Sequence, residues 1–170
     1  WAYANTHSKP LSVPQTQILL FPRYGIDVVV ANPKEFPLSP DIVAKAKKNA
    51  EAAGSNLTFT NDMDEAFEGA DIVVPKNWGG FGAYTVADYL ANEEACKKEM
   101  KVNLEKYHSW ICDDRRIKLA SKNVKLMHAL PADRGNEVTD EIIDNEDISI
   151  VYDEAENRLH TAKAIMALTM

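Results

Sequence analysis

A chain of 170 residues with 45% hydrophobic and 26% charged side chains carries enough apolar material for one core of ordinary domain size. Its formal net charge of −7 argues against a nucleic-acid or acidic-membrane partner, although a local cluster of cations can still hold a small anion. No apolar run reaches the ~20 residues of a membrane helix, no signal peptide is visible, and Cys96 and Cys112 lack both CxxC and zinc-ligand spacing, so they read as free thiols of a reducing, cytoplasmic compartment.

In chain order, "WAYAN" (residues 1–5) reads as the end of a first strand. With no initiator Met, further residues are expected upstream. "KPLSVP" (9–14) and "NPKEFPLSP" (32–40) are stiff proline-rich loops, because each Pro fixes φ and removes a donor. Residues 27–31 ("DVVVA"), 57–60 ("LTFT"), 71–75 ("DIVVP"), 124–128 ("VKLMH") and 148–152 ("ISIVY") are short apolar runs that fit strands buried on both faces. Ser39 with Pro40 starts a helix that Gly54 ends, with Ile42, Val43, Ala46, Ala50 and Ala53 as its apolar face. Asp62 with Glu65 resembles a capping box for a short helix holding Ala66 and Phe67. Residues 81–119 contain no strand. Their charged stretch "NEEACKKEMKVNLEKYHSW" reads either as a solvated connecting helix or as an insertion overhanging a site. A final helix offers a face of Leu159, Ala162, Ile165, Met166 and Met170.

Alternating strands and helices predict an α/β fold, a doubly wound, Rossmann-like parallel sheet with helices on both faces. In such a sheet ligands bind beyond the carboxyl ends of the strands. Three of the segments there place polar groups in apolar settings. "PKNWGG" (75–80) offers the cation Lys76, the amide Asn77 and the flat wall of Trp78, with glycines that let backbone approach a ligand; the alternative is a surface lysine beside a core tryptophan. In "HALP" (128–131), His128 is either a packed residue or a catalyst, and Pro131 restricts Leu130. Arg158 is placed in the first turn of the last helix, where a cation opposes the helix dipole. Either an anion lies beside it, or it pairs with Asp153, Glu154 or Glu156. No dinucleotide fingerprint, P-loop, metal-ligand spacing or nucleophile elbow occurs.

"HALPADRGNEVTDEIID" (128–144), "VYDEAENRLHTAKAIMAL" (151–168) and "PKNWGG" upstream of them resemble, in order and spacing, the second domain of the aspartate/ornithine carbamoyltransferase superfamily. The resemblance spans nearly the whole chain, 1–170, with a helical insertion at about 81–119. It implies a carbamoyl-phosphate-binding domain upstream, sites shared between domains and between subunits of a homotrimer, and transfer of a carbamoyl group to an amino or amide nitrogen. That chemistry needs no metal or organic cofactor, and rests on positioning and charge stabilisation. It also implies that Arg158 reaches carbamoyl phosphate and that His128, Ala129, Leu130 and Pro131 line the carbamoyl and acceptor pocket, His128 positioning rather than acting as a base.

Two departures from the ornithine enzymes are informative. Ala129 stands where they have Cys, and Lys76 stands where they have an Asp that helps hold ornithine, while their Ser-Met-Gly motif is absent. A free α-ammonium would meet repulsion at Lys76, and a carboxylate would be welcomed. "KPLSVPQ" and "PKNW" resemble the subgroup of N-acetyl- and N-succinylornithine carbamoyltransferases and their YgeW-like relatives, which implies a trefoil knot through the proline-rich loop and an anionic or N-acylated acceptor. The competing readings are a non-catalytic small-anion-binding or regulatory relative, favoured by Ala129, and a nucleotide-binding module, disfavoured by the missing glycine fingerprint.

Overall fold

Parallel pairing of short, β-branched runs organises the chain, and a computed structural model describes residues 1–6, 9–80 and 90–170. Helix α1 (Ser12–Leu20) passes through a single 3₁₀ turn into β1 (Val28–Ala31), α2 (Pro40–Ala53) and β2 (Leu57–Thr60). β1 and β2 run parallel, with Val28 opposite Leu57 and Ala31 opposite Thr60. Next come α3 (Met63–Phe67), β3 (Ile72–Val73), α4 (Glu93–Glu105) and α5 (Asp114–Ile117). The chain then enters β4 (Lys125–Leu126), which is parallel to β3, and continues into α6 (Asp140–Ile143) and α7 (Val151–Thr169). The result is an α/β fold with small parallel sheets.

Local sequence explains the helix ends. Pro40 occupies the first turn of α2, and Gly54 closes it at φ +70°, a conformation that costs a residue without Cβ little. Asp62 caps α3 by accepting from the N–H of Asp64 and Glu65. Glu65 does not reach back to Asp62, as a capping box would require. Its carboxylate accepts from the Thr60 hydroxyl, and that hydroxyl accepts from the Asp62 N–H at 3.0 Å. α3 is joined to α5 by Asp64, which accepts from Arg115 at 2.6 and 2.8 Å and from Arg116 Nε at 2.7 Å. The Arg115 guanidinium, with Arg116, holds the Asp64 carboxyl at about 2 against the upward push of burial.

Residues 1–4 are buried but belong to no named strand. They cross between the carboxyl ends of the two sheets: Trp1 donates to the Ala31 carbonyl, and the Ala2 N–H to the Lys76 carbonyl at 3.1 Å. The Trp1 ring stacks on Phe36 with centroids 4.6 Å apart and meets Tyr107 and Trp110 edge-on at 6.1 and 5.9 Å. These aromatic contacts, with Tyr107 donating to Glu35 at 2.7 Å, anchor the end of the charged insertion onto the loop after β1. Cys96 and Cys112 are free and buried, and burial pushes the Cys112 thiol up to about 12.

Three expectations need correction. Residues 148–152 are not a strand: Ser149 makes one parallel bridge to Leu126, whose flanking bonds run between Leu126 and the backbones of Ile148 and Ile150, and α7 begins at Val151. A short apolar run bordering a helix cannot be divided by periodicity alone. The face of Leu159, Ala162, Ile165, Met166 and Met170 exists, yet every residue of α7 from 155 onward is exposed, so nothing in the described chain packs on it. Ala53, placed on the buried face of α2, is likewise exposed. Among the described residues no helix is long and apolar enough to cross a membrane.

Replacing Asp62 with Ala should lower stability by about 1 kcal/mol, and Asp62→Asn should retain most of it. Urea unfolding checks this through a lower midpoint at unchanged slope.

Candidate active site

Because β3 and β4 are parallel, the segments leaving their carboxyl ends emerge side by side. Residues 76–78 leave one and His128 the other. Each brings polar side chains into an apolar wall, and such groups are stable there only if hydrogen-bonded.

The partner is Glu137. This carboxylate is wholly buried and accepts four bonds from three separate segments. Oε1 takes the Lys76 ammonium at 2.7 Å and the Asn77 N–H at 2.7 Å. Oε2 takes His128 Nε2 at 2.8 Å and the Asp133 N–H at 2.7 Å. Burial alone would raise the Glu137 pKa, but His128, the Asp133 N–H, Lys76 and the Asn77 N–H together hold it at about 2. An ionised carboxylate only accepts, so His128 Nε2 points an N–H at it. Nδ1 is buried and has no partner among the described residues.

A second layer surrounds this carboxylate. Asp133 accepts from Lys9 at 2.6 Å and from the Asn77 side-chain amide at 2.8 Å. Burial works to raise its pKa, and these two donors bring it below the ordinary range. The Lys9 carbonyl in turn receives the Gly79 N–H at 3.0 Å, which docks the first proline-rich loop on "PKNWGG". Trp78 is buried, donating from its ring to the Phe36 carbonyl at 3.0 Å and accepting the Trp1 ring N–H on its own carbonyl at 2.8 Å. Glu154, in the first turn of α7, accepts the His128 backbone N–H at 2.7 Å and so ties that helix to the "HALP" loop.

The structure therefore gathers Lys76, Asn77, Trp78 and His128 into one buried unit. Ala129, Leu130 and Pro131 form its exposed lip, with Leu130 41% accessible and the Leu130–Pro131 peptide cis. Two site expectations change. Lys76 does not present an unopposed charge, because Glu137 neutralises it; with a bond also to Asn77, one of its three N–H groups has no acceptor among the described residues. Arg158 is not in the first turn of its helix. α7 starts seven residues earlier, so Arg158 sits about 10 Å along the axis, beyond reach of the terminal amides. It is exposed and makes no hydrogen bond or ion pair among the described residues; of its suggested acidic partners, Glu154 accepts the His128 N–H and Glu156 lies 3.9 Å from His160.

Glu137, Asp133, Lys9 and Glu154 lie within segments the sequence singles out but without a role at this site, Glu154 being named only as a possible partner of Arg158. "ADRGNEVTDE" is dense in charge and reads as solvated loop. Which of its acids turns inward depends on Lys76, 61 positions away. The apolar neighbour Val138, fully buried, was the one local hint.

Comparison with known proteins follows the same segments. The family model described as aspartate/ornithine carbamoyltransferase, Asp/Orn binding domain, matches residues 10–169. The putative carbamoyltransferase YgeW of Escherichia coli K12 is 39% identical over 140 residues, 78% of this chain and 35% of that protein. The ornithine carbamoyltransferase of Hyperthermus butylicus is 35% identical over 159 residues, 94% of this chain and 46% of that protein. Among solved structures, acetylornithine transcarbamylase complexed with acetylcitrulline superposes with a TM-score of 0.83 at 32% identity, covering 99% of this chain and 47% of that one. An N-acetyl-L-ornithine transcarbamylase variant complexed with carbamyl phosphate and N-succinyl-L-norvaline gives 0.84 at 32% identity, covering 100% and 48%. The chain thus spans half or less of the length of these relatives.

Replacing Glu137 with Gln should destabilise the protein by about 3–5 kcal/mol at pH 7, since it strands the buried Lys76 charge. Because the folded pKa lies near 2 and the ordinary value is 4.5, the Glu137 contribution is complete above about pH 4.5 and is lost as pH falls toward 2. Denaturant unfolding across that range should show a flatter acid limb for Glu137→Gln than for the parent.

Proposed function

Because this chain belongs to the aspartate/ornithine carbamoyltransferase family, matching it through the Asp/Orn-binding domain, we propose that the whole protein transfers a carbamoyl group from carbamoyl phosphate to the nitrogen of a small acceptor. The observation that carries the reading is the Glu137 carboxylate, which locks residues 76–78 and the "HALP" loop edge to edge at the carboxyl ends of two parallel strands. In the reaction the acceptor nitrogen forms a bond to the carbamoyl carbon, the bond from that carbon to the phosphate oxygen breaks, and the nitrogen releases a proton. The residues of this chain act by placement. Ala129, Leu130 and Pro131 give the reacting groups a shaped edge, and His128 supports that edge from behind through Glu137 and Glu154. Arg158, without a partner among the described residues, is assigned to the phosphate.

The site's hydrogen-bond balance supports a reading of the acceptor. Both Glu137 oxygens are occupied, and Asp133 already serves Lys9 and Asn77, so no buried carboxylate is spare for a free α-ammonium. The remaining Lys76 N–H suits an oxygen of a carboxylate or of an N-acyl group. An anionic or N-acylated acceptor is thus favoured over free ornithine, in line with the acylated compounds bound in the related structures. Family membership likewise supports reading the two parallel pairs as parts of one doubly wound sheet with a knotted proline-rich loop, in a cytoplasmic homotrimer that uses no cofactor. The insertion at about 81–119 is read as a cover to the site; residues 81–89 lie outside the described residues. Ala129 in place of cysteine is the feature that favours the second reading, a non-catalytic relative that binds small anions.

Full-length protein with carbamoyl phosphate should release phosphate with N-acetyl- or N-succinylornithine and at least tenfold more slowly with ornithine. Robust turnover of ornithine would overturn the acceptor assignment, and carbamoyl phosphate binding without turnover of any amine or ureido compound would establish the non-catalytic reading. Arg158→Ala should weaken carbamoyl phosphate binding roughly 10–100-fold, the scale of a lost charge-assisted contact, as measured by calorimetry.

A further inference from the structure

At the opposite end of β4 from the "HALP" loop lies a cavity of about 540 Å³, a size that holds a small metabolite. Its floor is apolar, made by Ile117, Val124 and Ile148, and its rim carries Lys118, Lys122 and Lys125. Lys118 is paired with Asp114. Lys125 donates to the Asp147 backbone carbonyl at 2.6 Å, which holds its head at the rim without cancelling its charge. Lys122 is exposed on the tight turn closed by the Val124 N–H on the Ser121 carbonyl at 3.1 Å, and has no ionic partner among the described residues. That turn also leaves the N–H groups of Lys122 and Asn123 without a protein acceptor among the described residues. The one carboxylate at the rim, Asp147, accepts no hydrogen bond on its side chain among the described residues.

The pieces are complementary to one kind of molecule. Lysine ammonium groups and free turn amides suit a phosphate. An acceptor-only carboxylate beside them repels the phosphate but takes hydroxyl donors. An apolar floor covers the face of a ring. In a chain of net charge −7, a concave surface with three lysines and one acid stands out as a local reversal. We propose that this cavity is a second binding site, separate from the candidate active site, for a phosphorylated and hydroxylated metabolite of the nucleoside-monophosphate or sugar-phosphate kind. Its phosphate sits at Lys122 and Lys125, its hydroxyls at Asp147, and its ring on Val124 and Ile148. The assignment does not depend on the carbamoyl-transfer reading, since none of these residues is used there.

The test is calorimetric titration of AMP, ribose 5-phosphate and pyrophosphate into full-length protein already saturated with carbamoyl phosphate. At least one of the phosphorylated ribosides should bind once per chain, more tightly than pyrophosphate. Lys122→Glu, a surface change on an exposed turn, should weaken it at least tenfold while leaving thermal stability and carbamoyl phosphate affinity unchanged. Asp147→Asn should weaken the ribosides but leave pyrophosphate as it was. Absence of binding by all three probes, or binding that Lys122→Glu does not alter, would sink the proposal.

Discussion

A single buried carboxylate organises the edge of this domain at the carboxyl ends of β3 and β4. Glu137 has no access to solvent, so its charge is tolerable only while every lone-pair direction is answered. The answers come from residues 76 and 77, from residue 128 and from residue 133, and they can be given together only in one relative placement of those three segments. The geometry of the edge is therefore a consequence of the cost of an unpaired charge. The coupling also runs outward. Asn77 hands the constraint to Asp133, Asp133 to Lys9, and Lys9 to Gly79, so that a proline-rich loop far upstream is held by the same chain of bonds.

This arrangement separates structural charge from functional charge. Lys76 and Glu137, like Lys9 and Asp133, cancel in pairs, and the inner wall is close to neutral despite its ionic content. On the proposed reading, recognition falls to directional groups, an N–H of Lys76 and the exposed lip of residues 129–131, and to Arg158, an exposed cation that has no partner among the described residues. A wall of neutralised ions distinguishes ligands by hydrogen-bond pattern more than by net charge.

Much of the fold was legible because it rests on local chemistry. Residues 57–60 were placed as a strand with the observed bounds, and residues 27–31 within one position, from β-branched runs between breakers. Pro40 and Gly54 bracketed α2, and Asp62 marked the start of α3. The segments that meet at Glu137 were also conspicuous, because lysine, tryptophan, histidine and proline stand there just after apolar runs. What failed had non-local causes. Residues 148–150 pair with β4 and then coil into α7 because Val151 is buried while the helix beyond it leaves the body of the domain. Arg158 was assigned to a first turn because the apolar run "ISIVY" hid the helix start within it.

Composition and the alternation of apolar runs with helical segments determined on their own that this is an α/β domain, and the resemblance of its motifs in their order pointed to the carbamoyltransferase family, because those signals are written in short windows of residues and in their sequence. They did not determine which acid of a charge-rich loop becomes the buried counter-ion, or that Lys76 is neutralised, or that a cavity of about 540 Å³ opens at the far end of β4. Burial and pairing are properties of positions brought together across tens of residues, and the free energy that selects Glu137 exists only once Lys76, Asn77 and His128 surround it.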